Sequence, residues 1–136
     1  EKVVGLAGRS VTLEELLNFY ESLGSPTGSM PHYDSAQHKT RDVVRQAIIP
    51  MSSHARKSMA EVMMDGVPTI AKKMVTHNWE NLFRDLIAAV LADALDDDEF
   101  GHIADLLDSK ELGKLRGWLT DVGRLHDTYW ICAFAV

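Results

Sequence analysis

Residues 72–95, KKMVTHNWENLFRDLIAAVLADAL, decide the fold. Met74 and Val75 read as a short apolar strand, and Thr76, His77 and Asn78 as a polar turn. Beyond Trp79, the residues Leu82, Phe83, Leu86, Ile87, Val90, Leu91, Ala94 and Leu95 recur at i, i+3 or i+4. That spacing draws one continuous apolar stripe along a helix of about four turns. Asn78 is its expected cap, since the side-chain oxygen can accept from a free backbone N–H of the first turn. Strand, turn and amphipathic helix make the first half of a βαβ unit.

The second strand is expected at the end of the sequence, TYWICAFAV (128–136), parallel to and beside 73–76. Both alternating faces are apolar there: Tyr129, Ile131, Ala133 and Ala135 on one, Trp130, Cys132, Phe134 and Val136 on the other. A strand covered on both sides tolerates that pattern, as in parallel sheets with helices on each face. With at most one partner strand upstream, the chain is expected to be cut short of a full sheet.

Outward from this unit, the chain is read as helices. Thr12 and Glu15 fit a capping box opening a helix over 12–23, with Leu13, Leu16, Leu17, Tyr20 and Leu23 inward and Gly24 as its stop. The Gly-, Ser- and Pro-rich 24–34 is a loop. A second helix is expected over 40–49, with Val43, Val44, Ala47 and Ile48 on one face and Pro50 ending it. Ser52 or Ser53 should cap a third through Met64, ended by Gly66 and Pro68, with Met51, Met59, Val62 and Met63 as core filling. After the acidic run at Asp96, Asp97, Asp98 and Glu99, a helix is expected over 99–107. Ser109 should cap another running to about Val122, with Leu112, Leu115, Trp118, Leu119 and Val122 inward and Gly123 closing it.

Composition excludes several classes. The chain has 136 residues, enough for one domain with a real core. Its net charge of −6 argues against nucleic-acid binding, which needs a basic footprint. The local cluster Lys39, Arg41, Arg45, Arg56 and Lys57 reads as solvated surface. The single Cys132 allows no internal disulfide and reads as a buried, inert thiol suited to a reducing compartment. No apolar run approaches the roughly 18 residues that span a bilayer, and EKVVGLAGRS lacks the apolar core of a signal peptide. An intracellular, cytoplasmic protein is therefore expected, with an organelle left open. The missing initiator Met is expected of a processed chain, an excised piece or the ordered part of a larger protein. His32 and His38 lack a completing set of ligands, so no metal is expected. The acidic run lacks the spacing of a calcium loop.

The pairing of Thr76, His77 and Trp79 with the later Trp130, Ile131, Phe134, Ala135 and Val136 resembles a TIR-related domain family of algal and protist proteins. In that family a strand runs into a [ST]-H-x-W turn, and a second strand follows W-[IFL]-x-x-F-[AS]-V-N-Q. The resemblance covers about 72–136, lengthened by an insertion over 96–124. It implies a flavodoxin-like α/β fold, self-association and, in some branches, cleavage of NAD. That chemistry uses a glutamate in a W-C-x-x-E segment, which this sequence lacks, so no catalytic residue and no cofactor carry over. NAD enters only if the domain is completed elsewhere.

The fold class expected is therefore α/β and mostly helical: a helical N-terminal region (1–69) and an incomplete flavodoxin-like βαβ unit (70–136). Thr76, His77, Asn78 and Trp79 lie where a first βα turn would face a ligand crevice, and are the candidate binding residues. In a purely structural role, His77 would orient the turn and Trp79 would pack beneath it. Trp130, Phe134 and Val136 form the candidate interaction surface. The function expected is a signalling or assembly module acting through a protein partner or a second copy. The alternatives are a mainly helical accessory subunit ordered within a larger complex and, below both, a small enzyme using His77 with Asp127 or His126.

Overall fold

Strand β1 (Val11–Thr12), strand β2 (Lys73–Val75) and strand β3 (Thr128–Ile131) form one sheet in the order β1-β3-β2. The computed structural model describes residues 10–26, 28, 30–55, 58–64, 71–75, 77–97 and 101–135. Thr76, Val136, Gly66, Pro68, Arg56, Lys57, Asp98, Glu99 and most of the opening segment, all named above, lie outside the described residues. The expected parallel pair is present: Lys73 faces Tyr129, Met74 faces Trp130 and Val75 faces Ile131. β1 joins the other side of β3 antiparallel, Val11 opposite Tyr129 and Thr12 opposite Thr128. The chain is a mostly helical α/β protein with a small mixed sheet.

β3 is shorter than the expected 128–136. The chain leaves it after Ile131 and turns into the short helix α8 (Cys132–Ala135). An apolar run of this length does not by itself distinguish strand from helix. Packing decides it: the turn carries Phe134 into the core, where its ring meets Phe19 edge-on at 5.2 Å and Phe83 at 6.3 Å. Within β3, Tyr129 and Ile131 are buried, while Thr128 and Trp130 are half-buried. Cys132 is free and half-buried rather than fully enclosed.

Helix α1 (Leu13–Ser22) starts as expected. Thr12 accepts from the Glu15 N–H at 3.2 Å, and Leu13, Leu16, Leu17 and Tyr20 are buried. Its next free donors are met from the far end of the chain: the Leu13 and Glu14 N–H groups donate to the carbonyls of Asp127 and Leu125. Gly24, with φ +79, closes it in the left-handed region that favours glycine.

Helix α2 (Thr40–Val43), a π-helical turn (Val44–Ile48) and helix α3 (Ile49–Ala55) run on without a break, so Pro50 does not end the second helix. Proline lacks an N–H, and its ring crowds the carbonyl four residues back. The wide turn immediately before it, where the Ile49 N–H reaches the Val44 carbonyl, reroutes that hydrogen bonding. Ser52 and Ser53 consequently sit inside α3, and the next cap is Ser58, opening helix α4 (Met59–Met63). Its hydroxyl accepts from the Glu61 N–H at 3.2 Å, while the Glu61 carboxylate accepts from the Ser58 N–H, a complete capping box.

Helix α5 (Phe83–Ala94) is the buried centre, with Phe83, Leu86, Ile87, Ala88, Val90, Leu91, Ala92 and Ala94 all covered. Its start also departs from expectation. Asn78 accepts from the Glu80 N–H at 2.9 Å and so shapes the turn rather than capping the helix. The Phe83 N–H instead reaches the carbonyl of His38. At its far end Arg124 donates to the Ala94 carbonyl at 2.6 Å and pairs with Asp96, which takes the left-handed conformation at φ +54. Asp97 pairs with His102 at 2.9 Å.

Helix α6 (Gly101–Asp108) ends at Lys110, also left-handed at φ +61, with the Glu111 N–H bonded back to the Leu106 carbonyl. Ser109 donates to the Asp105 carbonyl and so belongs to this helix end. Glu111, not Ser109, precedes helix α7 (Leu112–Asp121). There Leu112, Leu115 and Leu119 face inward, but Trp118 and Val122 are exposed, at 39% and 51%. The described residues of 1–69 and of 70–136 contribute to one hydrophobic core. Leu13, Leu17, Met30, Val43 and Met59 share one core with Phe83, Leu91, Leu119, Ile131 and Phe134, and β1 lies in the same sheet as β2.

Candidate functional site

The turn after β2 is held where two helices begin. The Thr40 N–H donates to the Asn81 carbonyl at 2.8 Å, the Thr40 hydroxyl donates to the same oxygen, and the Arg41 N–H donates to the Trp79 carbonyl at 3.1 Å. Free donors at the start of α2 are thereby met by the turn, as the first donor of α5 is met by His38. Glu80 sits across the junction and pairs with Lys39 at 3.2 Å and Arg41 at 2.8 Å. Two of the five clustered cations thus share one carboxylate. Asn78 is exposed, and Trp79 is 36% exposed with its ring edge-on to the His77 ring at 4.7 Å.

His77 is the chemically unusual member. Both ring nitrogens are buried without a hydrogen-bond partner, as is Nε of Arg41; among the described residues no other buried side-chain polar atom stands so. Burial pushes the His77 imidazole below its ordinary pKa, because the charged form cannot be hydrated there. The proposed acid–base partners lie elsewhere: His126 faces Glu14 at 3.7 Å and Asp127 pairs with Lys72 at 3.2 Å. Among the described residues no relay through His77 is assembled. The expected interaction surface is also divided, since Phe134 is wholly buried and Trp130 half-buried.

A groove of about 290 Å³ lies between β2 and α5, lined by Lys73, Met74, Val75, Ala89, Val90 and Asp93, with Tyr129 of β3. Met74 is 73% exposed on it. Lys73 pairs with Asp93 at 2.9 Å, and that carboxylate also accepts from the Tyr129 hydroxyl at 2.8 Å. These bonds hold the Asp93 carboxyl below its usual pKa, while burial, helped by the same contact, raises that of Tyr129.

A second, more polar cleft of about 420 Å³ escaped the sequence reading. It opens between α1, the 30–35 loop and the turn joining α6 to α7. The Tyr20 and Tyr33 hydroxyls meet at 3.0 Å on its wall, and burial pushes the Tyr20 phenol up to about 12 and Tyr33 higher still. Lys110 reaches over the Tyr20 ring, with its ammonium 5.8 Å from the centroid, and donates to the Leu23 carbonyl. Burial holds the Lys110 amine below its ordinary pKa.

Among the described residues no group of His, Cys, Asp and Glu is arranged to hold a metal ion, and no helix is long and apolar enough to cross a membrane. Compared with models of protein families, with curated proteins and with solved structures, the chain matches none.

Proposed function

We propose that the chain is a TIR-like assembly module that works through protein–protein contact, and that it self-associates along the outer edge of β2. The observation that carries this is Met74, an apolar side chain 73% exposed at the centre of an edge strand. Such an edge offers unpaired backbone N–H and C=O groups to an incoming strand. Among the described residues, nothing pairs with the outer side of β2.

The occupant is a second copy because this edge is electrically balanced. The chain carries −6 overall, which repels like molecules, yet Lys73 and Asp93 neutralise each other beside Met74, as do Lys72 and Asp127 nearby. The parallel β2–β3 pair, with helices in the crossover, supports a partial flavodoxin-like unit.

Amide hydrogen exchange tests the edge directly. Protection of the amides of 73–75 should rise with protein concentration while that of α7 stays constant. Unchanged protection of these amides across the concentration range would rule out self-association through β2. The exposed Trp118 on α7 and Val122 just beyond it favour the helical accessory-subunit alternative, which then becomes the leading one.

A further inference from the structure

We propose that the cleft between α1, the 30–35 loop and the α6–α7 turn binds a small molecule bearing an oxyanion, a carboxylate or a phosphate, with the Lys110 ammonium as its charged anchor.

The first ground is charge pairing. Among the described lysines and arginines, all but Arg45 and Lys110 pair with a carboxylate. Arg45 stands exposed on a helix and keeps its hydration. Lys110 is exposed too, but its ammonium lines a cleft and is partly desolvated there, and the carboxylate that acts on it, Glu21, is itself paired with Arg116. A partly desolvated ammonium with no carboxylate at ion-pair distance gains from an anionic ligand in the same cleft.

The second ground is donor supply. An ammonium carries three N–H groups, and the Leu23 carbonyl takes one, leaving two for a ligand. The Tyr20–Tyr33 pair spends one of its two hydroxyl hydrogens on the mutual bond, so one O–H remains on the same wall. Both phenols are held protonated by burial and therefore stay donors at neutral pH. The facing carboxylates are already engaged: Asp108 with Arg84 at 2.8 Å, Asp34 with the Ala36 N–H, and Glu21 with Arg116. A volume of about 420 Å³ lies within the range of small-molecule pockets.

The third ground is the backbone. Lys110 sits at φ +61, where glycine would be free of strain, so a side chain is kept at a position that disfavours one. Holding the Leu23 carbonyl explains one N–H of that side chain and leaves the cleft unexplained.

The test is titration of the protein with inorganic phosphate and, separately, acetate, followed by amide resonances. The Tyr33, Ser35 and Lys110 amides should shift saturably with one or both anions, and which anion acts identifies the ligand class. Lys110→Met, which keeps the aliphatic stem, should weaken binding by about tenfold or more, as expected on losing a charge-assisted hydrogen bond. Lys110→Gly suits the left-handed backbone and should remain folded while losing the same affinity. Absence of cleft shifts with both anions overturns the proposal, as does unchanged affinity in the two variants or a response centred on Arg45.

Discussion

The Tyr129 hydroxyl donates to a carboxylate oxygen of Asp93 at 2.8 Å, and the Lys73 ammonium donates to that same oxygen at 2.9 Å. One oxygen on the last turn of α5 thus ties the central strand and the edge strand of the sheet to the buried helix. Lys73, Asp93 and Tyr129 all line the groove beside Met74.

Asp93→Asn should therefore loosen the edge strand. The pair is about half exposed, so the expected loss at neutral pH is small, about 0.5–1 kcal/mol. Its pH dependence is the sharper readout. A carboxyl whose folded pKa is depressed stabilises above its unfolded pKa, and that contribution disappears as pH falls through the folded value. Chemical denaturation below about pH 5 should show a flatter decline for the variant than for the parent.

His77 behaves in a related way for a different reason. Burial lowers its folded pKa, so below the ordinary histidine value the unfolded state binds the proton and the folded state does not. Stability should fall as pH drops through the ordinary histidine value, then level off once the folded form also protonates. His77→Phe removes two unsatisfied nitrogens and should abolish this slope, with Trp79 fluorescence, from a ring 4.7 Å away, losing its titration. A slope that persists in the variant assigns it to another group.

Phe134 separates core from surface. Wholly buried against Phe19 and Phe83, it should cost about 3–5 kcal/mol when replaced by alanine, read as a large drop in thermal midpoint. A surface residue in its place would change stability little.

Ser58→Ala should cost about 1 kcal/mol by removing the cap of α4. Ser53→Ala, exposed within α3, should be near neutral. The reverse result would return the cap to 52–53.

These variants also mark what was legible in the sequence. The α5 stripe and the parallel pairing of 73–75 with 129–131 were readable because helical periodicity and short apolar runs are local signals. β1, two residues long, has no period to detect. Pro50 read as a stop because a π turn that accommodates it leaves no compositional trace. The run 128–136 satisfied strand and helix alike until Phe134 found its aromatic partners. The His77 and Trp79 rings lie edge-on, but the starts of α2 and α5 meet at that turn through backbone carbonyls, which no side-chain pattern encodes. The cleft joins Tyr20, Tyr33 and Lys110 from three distant stretches, so tertiary structure alone brings it together.

The central claim is association along β2, and sedimentation equilibrium of the parent chain beside Met74→Lys tests it most directly. A charge at the middle of an exposed edge blocks strand addition without disturbing the core. The expected result is a parent whose mean mass rises above the monomer with concentration, and a variant that stays monomeric with an unchanged melting curve. A parent that remains monomeric throughout, or a variant that associates equally well, contradicts it.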